Sequence, residues 1–325
     1  MQRLLLFGLF AACLVRAADQ PVLQLESKVS LGDVRGRIDH LAIDPAQERL
    51  FVAELGNDTV GIVDLRQHKA VRRLTGFKEP QGIGYVPSTD TVYVANAGDG
   101  TVRLFQGDDL APAGQISLGE DADNVRVDDG AHRVFVGYGR GGIAVIDSSS
   151  RRKVADIALK AHPEGFQLDS DEHRIFVNVP DAHEIAVLDR TADKQVVAWT
   201  TENLRANFPM ALDRVHGSVV VVFRHPAKLG VFDANSGRLL STADTCADSD
   251  DVFVDTKRSR IYVTCGEGFI HVLTAHSDTY VSLDRIPTAS GARTSLFVPE
   301  IDRLIVAVRA TATLPAAIWM YRPIP

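Results

Sequence analysis

The chain has 325 residues, 45% of them hydrophobic, 24% charged and 7% aromatic, with 35 basic against 42 acidic residues. That composition belongs to a folded globular protein and excludes disordered and collagen-like chains. A net charge of −7 without any basic run excludes a nucleic-acid partner, because that affinity rests on Lys and Arg neutralising phosphates.

Residues 1–17 read as an export signal. Arg3 precedes a charge-free apolar stretch over residues 4–15, shorter than the roughly 20 residues a membrane helix needs. Val15 and Ala17 supply small residues at the −3 and −1 positions, and Pro21 ends the pattern. This predicts a secretory signal peptide cut near Ala17 or Ala18, and a periplasmic or secreted protein. A lipoprotein signal ending at Cys13 is the alternative. No later apolar run reaches 18 residues, so no transmembrane segment is expected.

From residue 22 the chain repeats. A short β-rich cassette recurs at residues 49–52, 91–94, 133–136, 174–177, 218–221, 260–263 and 303–306, at intervals of 42, 42, 41, 44, 42 and 43 residues. Each unit has one grammar. A short apolar strand such as Leu41-Ala42-Ile43 comes first, and an Asp or Pro turn follows. The cassette strand comes next, then a Gly/Asn/Asp-rich turn. A third strand usually ends in Asp, as at Asp64, Asp147, Asp189 and Asp233, and a more polar fourth strand closes the unit. No segment shows a 3.6-residue apolar period.

Four strands in about 42 residues, seven times over, predict an all-β, seven-bladed β-propeller with four-stranded antiparallel blades. One such unit cannot bury its own apolar faces, so the blades must stack into a ring. The seventh unit stops at its third strand, residues 318–321. The segment 22–31 resembles the other fourth strands, so the N-terminal strand is expected to close the ring. Residues 18–325 are then a single domain, expected as a monomer.

Residues 92–102, which begin Val92-Tyr93-Val94-Ala95-Asn96, and Arg260-Ile261-Tyr262-Val263-Thr264 resemble the YVTN repeat. Over residues 22–325 the chain is similar to the secreted bacterial YncE-like β-propellers. The Gly-His and Trp-Asp marks of WD40 repeats are absent. The resemblance implies the propeller fold and a binding role rather than an established activity. In site type there is a weaker similarity to gluconolactonase-like propellers, whose axial metal is held by Glu, Asn and Asp. Those have six blades, against the seven units here.

The inner strands of a propeller begin at one mouth of its channel, so seven polar lead-ins converge there. The expected ligand-binding residues are Asp39, His40, Gln81, Asp123, Asn124, His162, Glu164, Met210, Asp250 and Arg293. The ends of the second strands, Glu54, Asn96, Tyr138, Asn178, Arg224, Cys265 and Arg309, lie on the same face. Asp39, Asn124, Glu164 and Asp250 come from four different units and are all oxygen donors, a set suited to Ca²⁺ or another divalent cation. Such a cation would make a lactone or ester hydrolase, with His40 and Glu164 as candidate catalytic residues. The plainer expectation is a binding protein for a small molecule, peptide or envelope protein, and a scaffold without chemistry is a third reading. Tyr138, Phe208 and Met210 could form an apolar wall. Gly137 to Gly142 is a turn between strands, with no helix to make a phosphate loop. Cys246 and Cys265 fall at one rim, and an oxidising compartment would let them form a disulfide.

Overall fold

The 42-residue period is realised as seven four-stranded antiparallel sheets. A computed structural model describes residues 21–276 and 279–325, so the expected signal peptide lies outside the described residues. Blade one runs outward from its inner strand Leu41–Asp44 through Arg49–Glu54 and Thr59–Asp64 to Lys69–Thr75. The inner strands of blades two to seven are Pro80–Val86, Ala122–Asp128, Phe166–Asp169, Arg205–Asp213, Ser249–Asp255 and Thr294–Val298. Every blade pairs in simple outward order except the last.

Burial follows position in the blade. The second strand Arg49–Glu54 is buried at all six positions, because both of its faces meet a neighbouring blade. The outer strand Lys69–Thr75 is exposed at five of seven positions. The core is accordingly seven wedges, each shared by two adjacent blades. Phe51, Phe77, Ile83 and Phe105 fill the wedge between blades one and two. Tyr262, Phe297, Trp319 and Tyr321 fill that between six and seven. Leu31, Leu50, Ile305 and Ile318 join seven back to one.

The turns are set by short-range chemistry. One residue before each second strand the backbone is left-handed: Glu48, Asp90, His132, His173, Gly217, Ser259 and Asp302 have φ between 44° and 57°. The Asp residues that end third strands cap the following turns. Asp64 accepts the Gln67 amide, Asp147 the Ser150 amide and Asp233 the Ser236 amide. Their recurrence therefore reports turn geometry.

Blade seven shows how the ring closes. Its outermost strand is Leu23–Ser30, paired antiparallel with Ala317–Pro323 from Leu23 opposite Pro323 to Ser30 opposite Ala317. Leu23 and Val29 are buried, and Glu26 pairs with both Arg303 and Arg322. Cys246 and Cys265 are joined as a disulfide within blade six, between the lead-in to its inner strand and the end of its second strand. Among the described residues no helix is long and apolar enough to cross a membrane.

Candidate ligand site at the channel mouth

Counting back five residues from the last paired residue of each inner strand gives Asp39, Gln81, Asp123, Glu164, Phe208, Asp250 and Arg293, one from each blade. All seven line one cavity of about 310 Å³ at the mouth. The ladder explains why these side chains leave the sheet. In blades two, three, five and six the register slips by one residue here, between Pro80 and Ile83, Ala122 and Val125, Asn207 and Met210, and Ser249 and Asp251. In blades one and four two residues face one: Ala53 bonds to both Asp39 and His40, and Asn178 to both Glu164 and Gly165. A bulge inserts an unpaired residue and re-aims its side chain. Six blades use one at the same height.

Glycine permits the close approach this needs. A Cβ on Gly82 would lie 2.0 Å from the Asp123 carbonyl oxygen, and one on Gly165 would lie 2.5 Å from that of Phe208. The backbones of adjacent blades meet where a side chain would stand.

All ten residues expected to bind ligand line this cavity. Arg37, Asp121, Arg126 and Gln167, which were not expected, line it too. Of the second-strand ends only Arg224 reaches it. Glu54 instead binds Thr59 and Arg73, Asn96 binds Thr101, Asn178 binds the Phe208 carbonyl, and Tyr138 binds Asp156. These groups sit one strand further from the axis; Glu54, Asn96 and Tyr138 complete their own blades, and Asn178 ties blade four to blade five. Phe208 and Met210 form part of the wall, without Tyr138.

The four-oxygen cation set is not assembled. Asp39 accepts from Arg37 at 2.5 Å. Asp250 is held by Arg224 on one oxygen and by Arg293 at 2.5 Å on the other. Two of the four oxygen donors thus already carry guanidinium partners. Among the described residues the one group of three His, Cys or acidic ligand atoms mutually within 4.8 Å is Cys246, Cys265 and Glu267, whose sulfurs are bonded to each other.

The centre of the cavity is different. Asp123 lies between two imidazoles, with Oδ1 3.8 Å from His40 Nε2 and Oδ2 3.9 Å from His162 Nε2. His162 donates its Nδ1–H to the Gly139 carbonyl at 2.6 Å, which turns Nε2 inward. Asp123 is 6% exposed and Asn124 2%, yet among the described residues Asp123 Oδ1 and Asn124 Oδ1 have no hydrogen-bond partner. A buried acceptor left unpaired costs roughly 1–3 kcal/mol.

Crowded, desolvated acids resist ionisation. Burial, then the charges of Asp123 and Asp250, push the Glu164 carboxyl up to about 8 against the pull of His162 and His40. Burial first, and then the Asp123 charge against the pull of His40, raises Asp39 to about 6; burial above all raises Asp251 to about 6. Burial opposes a proton on His162, but Asp123, the Gly139 carbonyl and Asp121 outweigh it and hold the ring protonated up to about 9. His40 is raised likewise: Asp39, Asp251 and Asp123 outweigh its burial.

These shifts predict a pH profile. Folded Glu164 keeps its proton to higher pH than the unfolded chain does, so stability is complete below about pH 4.5 and drains as pH rises towards 8. His162 adds to the loss between about pH 6.5 and 9. Asp302, held low by its bonds to Arg258, costs stability only at the acid end. The ligand-free chain should therefore be most stable near pH 5. At pH 9 Glu164→Gln should be more stable than the parent by about 1–2 kcal/mol, a figure reduced for the solvent that reaches the mouth. Urea unfolding at pH 5, 7 and 9 reads this directly; parallel profiles for parent and variant would refute it.

The sequence matches no family model and no curated protein. Solved structures do resemble it. One is a chain of the mitotic checkpoint complex, at 14% identity and a TM-score of 0.77 over 98% of both chains. Another is Kuenenia stuttgartiensis hydrazine synthase, at 15% identity and 0.73 over 85% of this chain and 93% of that one. A third is the RRP9 WD40 repeats, at 8% identity and 0.76 over 92% and 99%. At such identities the likeness concerns the fold alone, and by that fold this chain is a seven-bladed β-propeller.

Proposed function

We propose that the chain is an exported, monomeric propeller of the YncE-like kind that binds a small polar molecule at its channel mouth. One observation carries the reading. Asp123 and Asn124 are buried with unpaired acceptors in a cavity to which every blade contributes. Blade three takes them out of its ladder by a bulge, and among the described residues no group hydrogen-bonds these two oxygens. A ligand that did so would recover the cost of leaving them bare. Export rests on the leader over residues 1–17, and kinship to YncE-like propellers on the YVTN-type cassettes at 92–96 and 260–264.

The hydrolase reading has less support, because its cation set is divided by Arg37, Arg224 and Arg293. The test is thermal unfolding of the mature chain with cationic, neutral and anionic molecules of up to about ten heavy atoms, beside Ca²⁺ and Mg²⁺. Saturable stabilisation by an organic molecule, lost in Asp123→Ala, supports the reading. A ligand at 100 times its Kd adds about 2.7 kcal/mol, a shift of several degrees. Stabilisation by a divalent cation alone would revive the metal site. No Asp123-dependent shift with any compound would overturn small-molecule binding and leave an envelope protein as the partner.

A further inference from the structure

Charges of both signs meet at the mouth in near balance. Asp39, Asp121, Asp123, Asp250 and Asp251 stand against four guanidiniums, and burial above all lets Glu164 keep its proton at neutral pH. Burial opposes a proton on His40 and His162, but the acids around them outweigh it. A net charge on a ligand would upset this balance, so an uncharged ligand suits the cavity. Most of the acids already have partners. Arg37 holds Asp39, Arg224 and Arg293 hold Asp250, and Asp251 accepts the Ser295 amide at 2.7 Å. Asp123 stands apart, because its Oδ1 has no hydrogen-bond partner among the described residues.

The spaces around Asp123 narrow the class further. His40 Nε2 lies 3.8 Å from Oδ1, and His162 Nε2 lies 3.9 Å from Oδ2. Neither contact is a hydrogen bond, yet one oxygen set about 2.8–2.9 Å from both atoms would bridge either gap. That oxygen must give a proton to the carboxylate and take one from the ring, and a hydroxyl does both at once. The two gaps belong to the two oxygens of one carboxylate, so the two hydroxyls stand side by side, as they do on neighbouring carbons. Asn124 Oδ1, also without a partner among the described residues, offers an acceptor to a third. Two waters could bridge the same gaps, but they would gain nothing from the apolar side that Phe208, Pro209 and Met210 give the cavity. Its volume of about 310 Å³ equals roughly ten waters at about 30 Å³ each, which leaves room for a small carbon ring.

We propose that the mouth binds an uncharged polyol through a vicinal diol, whose two hydroxyls donate to the two oxygens of Asp123 and accept from His40 Nε2 and His162 Nε2 while its carbon skeleton lies against Phe208 and Met210. The proposal deepens the small-molecule reading above and rests on it.

Saturation-transfer NMR titration of the mature chain tests it, with cis-cyclohexane-1,2-diol as the probe. Its isomer trans-cyclohexane-1,4-diol has the same atoms with the hydroxyls set apart. Cyclohexylammonium and cyclohexanecarboxylate are the charged controls. The 1,2-diol should bind saturably, about tenfold or more tighter than the 1,4-diol and either ion, with its ring protons receiving the transfer. Asp123→Asn, which keeps the shape and removes one acceptor, should weaken it about tenfold, the worth of one hydrogen bond to a charged group. His162→Phe keeps a ring without its N–H and should weaken it by a similar factor. The two residues lie in different blades, so a folding defect in one variant leaves the other to decide. Equal binding of the two diols, or 1,2-diol binding unchanged in both variants, would overturn the placement on Asp123. Asp123-dependent binding of an ion but of neither diol would overturn the polyol assignment and leave the small-molecule reading standing. No binding by any probe, with no Asp123-dependent stabilisation by any other compound, would overturn both readings.

Discussion

A chain that begins at residue 32 will fail to melt as one cooperative unit. Removing residues 1–31 takes away the outermost strand of blade seven, with buried Leu23 and Val29, and the buried Leu31 whose amide donates to the Ala316 carbonyl at 2.9 Å. Each such side chain contributes about 1.5–3 kcal/mol on burial. Three of them approach the 5–15 kcal/mol that holds a typical domain folded, before any ladder bond is counted. The loss also bares the edge of Ala317–Pro323, whose unpaired amides would recruit other chains. Circular dichroism should show a broad transition, and size exclusion should show association. A synthetic peptide of residues 22–31 should restore the sharp melt, because it supplies the same strand in trans. A truncated chain that melts sharply within a few degrees of the parent would show that closure is dispensable.

The second large effect lies in blade six. Replacing Cys246 and Cys265 together by Ala should cost about 3 kcal/mol, the loop-closure value for a span of 19 residues. That is a fall of about 6 °C in a chain of this length. Geometry adds a local consequence. The lead-in held by Cys246 carries Asp248 and Asp250, which together fix Arg293 at the mouth. The double variant should therefore also blunt ligand binding, where a purely global destabilisation would leave affinity intact below the melt. The parent protein should resist alkylation until it is reduced. A variant that melts within a degree of the parent would remove the stabilising role.

Much of this architecture was legible because a propeller writes its period into the chain. The cassettes located every second strand, and their spacing placed the seven lead-ins at one height. The ten residues read as ligand-binding line one cavity for that reason. Period, however, reports height along the axis and says nothing of distance from it. Asn96 and Asn178 stand level with the mouth but one strand further out, and they bind within the protein. Arg126 and Gln167 were passed over for the opposite reason. They sit inside inner strands, where alternation reads as ordinary strand, and a polar residue at that position was the signal available. The equivalent residues are Ala42, Gly84, Ala211, Phe253 and Leu296, all apolar. The guanidinium pairings of Asp39 and Asp250 were out of reach, because no local pattern tells which arginine meets which carboxylate across blades.

The pairing of Leu23 with Pro323 also sets an order of events. Blades one to six are built from neighbours in the chain, so each can pair its strands and stack on the blade before it as the chain lengthens. The seventh joins strands about 300 residues apart, and a contact of such separation carries the largest loop-closure cost and is the slowest to make. The first strand must therefore wait, unpaired, until the last has been delivered. A nascent chain is an open arc with two bare edges, and it becomes a ring only at the end. Refolding should show this as a slow final phase that reports on Trp319, which packs in the closing blade, while Trp199, far from the seam, reaches its native signal earlier.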